Sequence, residues 1–259
     1  MRDTKAAFDR RTHKKKTRRV AAVLERVLGV PEQQHPLPEP LELLIATILS
    51  QNTNDKNSHR AYSLLRQRYP TWEHVAAAPL RSLIATIKPG GMARQKSLRI
   101  KEVLQTFKSR YGGYDLSDLA TKTNEQVISE LTGLNGVGVK TASCVLLFSL
   151  GRDIFPVDTH VHRVCGRLGL APGCKTPDQT FKVMQGLVPP RKGYSFHTNL
   201  IRFGRKICRA NHPACNRCPL YDECLYENKT RLARQSRSRS NTDHDFMLLD
   251  HVKDLDSSH

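Results

Sequence analysis

The chain has 259 residues, of which 38% are hydrophobic, so it is long enough to form one or two domains with cores of their own. Its 42 Lys and Arg outnumber its 24 Asp and Glu, and a net charge of +18 with a pI near 9.9 favours a polyanionic partner. No apolar run approaches the roughly 20 residues that span a bilayer, and no segment resembles a signal peptide, which excludes a membrane-spanning class.

Positive charge is concentrated at the start of the chain, where the first 19 residues contain nine Lys or Arg and two Asp. We predict that residues 1–16 form a disordered basic arm, which would adhere to DNA without sequence preference. An apolar pattern then predicts a helix from Thr17 to Leu28, and a proline-rich connection extends to residue 40.

The rest of the chain shows helical periodicity interrupted by proline and glycine breaks. The predicted helices cover residues 41–50, 55–69, 80–87, 93–110, 124–132, 139–150, 159–169, 177–188 and 193–208. Continuous β alternation is nearly absent, so the predicted fold class is all-α. The segment 229–259 contains few core residues and is predicted to be a disordered tail.

A glycine-rich turn at residues 135–138 precedes the apolar helix that begins at Val139. We expect Gly136 and Gly138 to adopt positive φ, which allows a tight reversal and a close approach to a ligand. The unpaired N–H groups and the dipole at the start of a helix favour an anion such as a DNA phosphate. Asn135, Gly136, Val137 and Gly138 are therefore candidate DNA contacts, although an ordinary loop entering a core helix would give the same pattern.

Two reactive side chains follow this turn. Lys140 lies on the first turn of the helix, and Asp158 follows 18 residues later at the start of another predicted helix. A neutral lysine amine can form a Schiff base with a sugar aldehyde, whereas a charged one would only neutralise phosphate, and the residues alone leave both roles open. Asp158 is also a good helix N-cap, a role compatible with facing a pocket.

Four cysteines near the C-terminus form a C-x6-C-x2-C-x5-C pattern at Cys208, Cys215, Cys218 and Cys224. Without a secretion signal, such close thiols indicate a metal site rather than disulfides. A tetrathiolate site binds zinc or an iron–sulfur cluster. Because zinc sites usually pair two C-x2-C elbows and only one is present, the pattern favours iron–sulfur and leaves zinc as the alternative.

The segments LNGVGVKTA and VDTHVHRV and the cysteine spacing, in this order, together resemble the endonuclease III family of DNA glycosylases. The resemblance covers about residues 40–227. It implies two helical domains with a cleft between them. One would be a six-helix barrel-like domain with a helix–hairpin–helix (41–152), and the other an iron–sulfur cluster domain (17–40 and 153–228).

The same resemblance implies a bifunctional DNA glycosylase and AP lyase of base excision repair. It would excise damaged bases, with oxidised pyrimidines as the expected class, from double-stranded DNA and cleave the abasic strand by β-elimination. Lys140 would be the nucleophile and Asp158 the activating carboxylate, and the four cysteines would bind a [4Fe–4S] cluster. We expect a monomer with no membrane partner, located in a bacterial cytoplasm and associated with the nucleoid.

The chain departs from the family pattern at two places. Asn135 occupies a position at which the family hairpin usually has proline. The family loop S-x-Q-x-x-D, whose glutamine fills the gap left by the extruded base, is here Ser50-Gln51-Asn52-Thr53-Asn54-Asp55. Asn52 occupies the glutamine register with Gln51 beside it, so either side chain is a candidate for the vacated stack.

Other functions fit parts of this pattern. Adenine and mismatch glycosylases of the same superfamily are the nearest alternatives, and Lys140 argues against those that only release the base. A non-catalytic DNA-binding module is the alternative from another class. A lysine and an aspartate at both catalytic positions of the family argue against it.

Overall fold

The computed structural model describes residues 9–235, and all regular structure in this range is helical. The all-α prediction is thereby confirmed, with no β-strand between residues 9 and 235. In chain order the α-helices are Arg10–Leu28 (α1), Pro40–Ser50 (α2), Asp55–Arg68 (α3), Trp72–Ala77 (α4), Leu80–Ile87 (α5), Ala93–Tyr111 (α6), Asn124–Thr132 (α7), Val139–Phe148 (α8), Thr159–Leu168 (α9), Pro177–Gln185 (α10), Gly193–Lys206 (α11) and Lys229–Gln235 (α12).

The chain divides into two compact units. The hairpin unit is Gln33–Arg152, and the cysteine unit contains residues 9–32 and 153–235 of the described range. The connecting segment 33–40, which was predicted to belong to the iron–sulfur cluster domain, lies with the hairpin unit. Gln33 donates a hydrogen bond to the Leu147 carbonyl at 2.9 Å.

Two apolar helices form the centre of the hairpin unit. Every residue of α2 from Pro40 to Leu49 is buried, and so is every residue of α8 from Thr141 to Phe148. These two helices pack against each other, and α3 and α6 also contact α2. A helix that is apolar on all sides is stable only when surrounded by protein. The core of this unit thus fixes α8, whose first turn carries Lys140.

In the cysteine unit, α11 packs against α1 and α9, and α9 also contacts α10. Glu25 links α1 to the start of α11, because its carboxylate accepts hydrogen bonds from Lys192 at 2.9 Å and from Ser195 at 2.7 Å. The buried face of α1 is formed by Thr17, Val20, Ala21 and Leu24.

The structure corrects two predictions of disorder. Helix α1 begins at Arg10 rather than Thr17, because the Asp9 side chain accepts hydrogen bonds from the first-turn amides of Arg11 and Thr12. Residues 229–235 form α12, where Lys229 donates to two backbone carbonyls at 2.8 Å. The remainder of the predicted arm (1–8) and of the predicted tail (236–259) lies outside the described residues.

Helix α4, absent from the sequence prediction, is a short helix that starts at a Thr71 cap. Between residues 9 and 235, no helix has the length and apolar character needed to cross a membrane.

Candidate functional site

The hairpin turn, residues 133–138, connects α7 to α8. Gly136 has a φ of +76°, which confirms the need for glycine there. Gly138 instead has a φ of −94° and caps α8 in the extended conformation that N-cap residues normally adopt, so the expectation of positive φ was wrong at this position. Val137 is 4% exposed, and its amide donates to the Leu134 carbonyl at 3.1 Å. Val137 therefore shapes the turn, and the amides from Gly138 onward form the open start of α8.

Lys140 is the second residue of α8 and is half-buried. The eight residues that follow it are buried in the core of the hairpin unit. A long cationic side chain at the N-terminus of such a helix lies in the same place as the unpaired amides that attract anions. The fold thus supplies an amine and an open helix start on one buried element.

The Gln51 turn, residues 51–54, connects α2 to α3 and contacts the hairpin turn. The side-chain amide of Gln51 donates to the Gly136 carbonyl at 3.2 Å, and its oxygen accepts from Arg99 at 2.7 Å. Asn52 has a φ of +53° and is exposed, with its amide nitrogen 3.8 Å from the Met92 sulfur. Gln51 is therefore half-buried with both ends of its amide bonded within the hairpin unit, whereas Asn52 is exposed.

Helix α6 contributes two side chains to the hairpin turn that sequence reasoning missed. Arg99 lies against Gly136, and Glu102 accepts a hydrogen bond from the Asn135 side chain at 3.1 Å. Glu102 and residues 132–138 line a shallow, open depression. No local pattern points to Arg99, since its partners are 48 and 37 positions away in the sequence.

Asp158 belongs to the cysteine unit and caps α9. Its Oδ1 accepts a hydrogen bond from the Val161 amide at 2.7 Å, and the side chain is half-buried. The N-cap prediction is confirmed by this contact. The cap uses one carboxylate oxygen, and the Asp158 side chain remains partly exposed.

The cysteine loop, residues 208–224, contains four half-buried thiols. Burial, together with the charges of the neighbouring Cys208, Cys224 and Cys215, raises the pKa of Cys218 to about 11. Burial also raises the pKa of Cys215, with additional contributions from Cys208 and Cys224.

Arg167 of α9 fastens this loop. Its guanidinium donates to the Cys208 sulfur at 3.5 Å and to the carbonyls of Arg209 at 2.7 Å and Ala210 at 3.1 Å. Its own carbonyl accepts from the Leu225 amide at 2.8 Å. The helix capped by Asp158 is therefore also the helix that anchors the cysteine loop.

Among residues 9–235, no three His, Cys, Asp or Glu side chains converge tightly enough to enclose a single metal ion. Two cysteines outside the cysteine loop, Cys144 and Cys165, are fully buried, as predicted for core packing.

Comparison with known proteins decides the family. The sequence profile of the HhH-GPD superfamily of base excision DNA repair proteins matches residues 45–190, more than half of the chain. The chain belongs to the HhH-GPD superfamily. The resemblance drawn from the hairpin, aspartate and cysteine motifs is confirmed, and this HhH-GPD protein is a DNA glycosylase of base excision repair.

Individual relatives agree with this assignment. Endonuclease III of Thermotoga maritima is 35% identical over 194 residues, which cover 75% of the HhH-GPD chain and 86% of that protein. Endonuclease III in a non-covalent complex with DNA is 30% identical with a TM-score of 0.72, covering 85% of this chain and 98% of that one. A trapped covalent endonuclease III–DNA intermediate gives the same values.

Proposed function

We propose that this glycosylase is bifunctional: it removes a damaged base from double-stranded DNA and then cleaves the abasic strand, with Lys140 as the nucleophile. The observation that carries the proposal is the half-buried Lys140 amine on the first turn of α8, directly after the hairpin turn. Amides at that helix start would grip a phosphate without reading the base, leaving the amine near the sugar. A relative at 30% identity has been trapped as a covalent DNA intermediate, which supports attack by a protein group.

The reaction would proceed through a Schiff base. The lone pair of the neutral Lys140 Nζ forms a bond to C1′ of the deoxyribose, and the glycosidic bond breaks with its electron pair leaving on the base. Opening of the sugar ring and loss of the amine proton give an imine. Removal of a C2′ proton then expels the 3′ phosphate by β-elimination and breaks the strand.

Asp158 would act on the positive charge that develops during base departure. A carboxylate stabilises an oxocarbenium-like sugar and also orients the lysine or a water molecule. The hydrogen bond from the Val161 amide fixes the Asp158 side chain, so little reorganisation is needed at the moment of reaction. An Asp158→Asn substitution would remove the negative charge but keep a good N-cap, so α9 would stay intact.

Asn52 rather than Gln51 would occupy the space left by the extruded base. A base within a duplex must be flipped out before an enzyme can act on it, and a protein side chain then stabilises the opened stack. Asn52 is exposed, whereas both ends of the Gln51 amide are already bonded within the hairpin unit. The backbone of Gly136 and Gly138 would contact the adjacent phosphates, with Asn135 beside them.

The cysteine loop fits a [4Fe–4S] cluster held by Cys208, Cys215, Cys218 and Cys224. The C-x6-C-x2-C-x5-C spacing contains one C-x2-C elbow, whereas zinc sites usually pair two, and this supports an iron–sulfur cluster over zinc. When bound, such a cluster would stabilise the loop as a structural crosslink. Arg167 and Lys229 would offset its negative charge.

The decisive experiment compares Lys140→Ala with the wild-type protein on duplexes that carry an oxidised pyrimidine or an abasic site. We expect the variant to lose base release and strand cleavage, by at least about a thousandfold, because the covalent route is removed. Borohydride should trap a protein–DNA adduct with the wild type only. Lys108→Ala, an exposed lysine of α6 in the same unit, is the matched control.

Other outcomes would overturn the assignment. Base release without any trapped adduct would identify a glycosylase that does not use Lys140 as a nucleophile. An adduct that persists in Lys140→Ala would assign the attack to another amine. A duplex with adenine opposite 8-oxoguanine, included in the same panel, tests the alternative of an adenine glycosylase.

A further inference from the structure

Arg99 connects two turns that the proposed function places on DNA. It lies on α6, half-buried, and donates from Nη1 to the Gln51 oxygen at 2.7 Å. The Gln51 nitrogen then donates to the Gly136 carbonyl at 3.2 Å. The three groups form one continuous chain of hydrogen bonds from α6, through the Gln51 turn, to the hairpin turn.

The chemistry of these groups permits only one orientation of the Gln51 amide. A guanidinium is a pure donor and a carbonyl is a pure acceptor. The amide oxygen must therefore face Arg99 and the amide nitrogen must face Gly136, since the flipped amide would oppose like groups at both ends. A charge-assisted hydrogen bond to arginine is also stronger than one between neutral groups.

Arg99 also contacts the backbone of the hairpin turn directly. A Cβ added at Gly136 would lie 2.4 Å from the Arg99 Nε and 2.9 Å from its Cζ. The guanidinium thus rests on the bare α-carbon of a residue with positive φ. One turn along the same helix, Glu102 accepts from Asn135 at 3.1 Å, so α6 contacts the turn at two adjacent residues.

We propose that Arg99 and Gln51 are positioning residues that fix the Gln51 turn against the hairpin turn. Neither side chain touches the reacting atoms. Their role is to keep Asn52, in the vacated stack, in register with the backbone amides that hold the phosphate. The inference rests on the proposed function, because it assumes that both turns contact the damaged duplex.

The test measures base release under single-turnover conditions at saturating enzyme, for Arg99→Ala, Gln51→Ala and the double variant. We expect each single variant to slow the chemical step about tenfold, since a small misplacement of bound groups is costly. The double variant should be no slower than the slower single variant, because both substitutions break the same chain of contacts. Affinity for undamaged duplex should change less than about twofold.

Two further variants and one control separate positioning from other roles. Gln51→Glu keeps the contact with Arg99 and turns an acceptor toward the Gly136 carbonyl, so it should be as slow as Gln51→Ala. Arg99→Lys should not restore the rate, because an ammonium cannot lie flat on Gly136 as a guanidinium does. Arg110→Ala removes the same charge from an exposed site on α6 and should leave the rate unchanged.

Contrary results are distinct from a failure of the proposed function. In one such result, Arg99→Ala weakens binding to all DNA and reduces the slope of log affinity against log salt concentration by the equivalent of about one phosphate contact, while Gln51→Ala has no effect. That result would identify Arg99 as a phosphate ligand, and the positioning role would be wrong. If the variants lower the melting temperature and the loss of rate equals the loss of folded protein, so that the folded fraction retains full activity, the contacts are only structural. If the wild type itself is inactive on every lesion duplex, the proposed function fails first.

Discussion

The hairpin turn and the cysteine loop are both irregular segments attached to a buried helix, but they are stabilised in different ways. The hairpin turn is held by a hydrogen bond from Gln51, by one that Asn135 donates to Glu102, and by the packing of Arg99 on Gly136. The cysteine loop is held by Arg167 and Lys229 at its edges, and its interior is formed by four half-buried thiols. The first segment is held by contacts within the polypeptide, whereas the second contains four thiols that the proposed function assigns to a metal cluster.

This difference indicates how each segment serves the enzyme. A turn that must contact DNA in a defined register benefits from rigid contacts that exist before the ligand arrives. A loop built around thiolates becomes rigid when its metal group binds, because metal binding and folding are then one equilibrium. We therefore expect the two segments to respond differently to substitution.

The largest effect is expected in the cysteine loop. Cys218→Ser replaces one of the four half-buried thiols proposed to bind the cluster and should destabilise the cysteine unit by more than about 4 kcal/mol. Iron content by mass spectrometry should fall, and limited proteolysis should cut the loop, while the hairpin unit remains protected. Cys174→Ser, outside the loop, is the control. If Cys218→Ser kept the metal content and the protection of the wild type, the metal-dependent side of the comparison would be wrong.

A smaller loss is expected in the hairpin turn. Gly136→Ala places a methyl group against Arg99 and forces a positive φ on alanine, at a cost of about 3 kcal/mol in unfolding free energy. Urea denaturation measures this change. Gly138→Ala is the matched control for stability, because that residue has a negative φ and no atom within 4 Å of an added Cβ. Equal losses at the two glycines would contradict the described packing.

The smallest effect concerns Lys96, which supports the end of α2 just before the Gln51 turn. It is 1% exposed and donates to the carbonyls of Leu49 and Gly90, both at 2.7 Å. Burial, aided by the charge of Arg99, lowers its pKa to about 8. Between pH 8 and about 10.5 the unfolded chain therefore binds more protons than the folded one, so stability rises with pH in that window.

The expected gain is on the order of 2 kcal/mol and should be missing in Lys96→Met. The comparison uses the slope of unfolding free energy against pH, because the methionine variant also leaves two carbonyls without their donor. If both proteins showed the same slope, the lowered pKa of Lys96 would be refuted. Because the hairpin unit contains this buried lysine, the stability of the hairpin unit should depend on pH between 8 and about 10.5.

Much of the helical order was predictable from the sequence. Periodicity and breaks placed nine helices within a few residues of their observed bounds, and the fold class follows from them. The start of α1 was missed because a run of like charges suggested disorder, whereas a single Asp9 cap was sufficient to begin the helix. Helix α4 was missed because six residues are too few to show a helical period.

The sequence by itself determined the features whose cause is local: the glycine at residue 136, the position of Lys140 on a helix start, the cap at Asp158 and the spacing of four cysteines. Only the tertiary structure showed that the Gln51 amide is bonded within the hairpin unit while Asn52 is exposed, and only it brought Arg99, Glu102 and Lys96 to the two turns. These contacts join segments tens of residues apart, so they depend on how α2, α6 and α8 pack in one core, and no pattern along the chain records that packing.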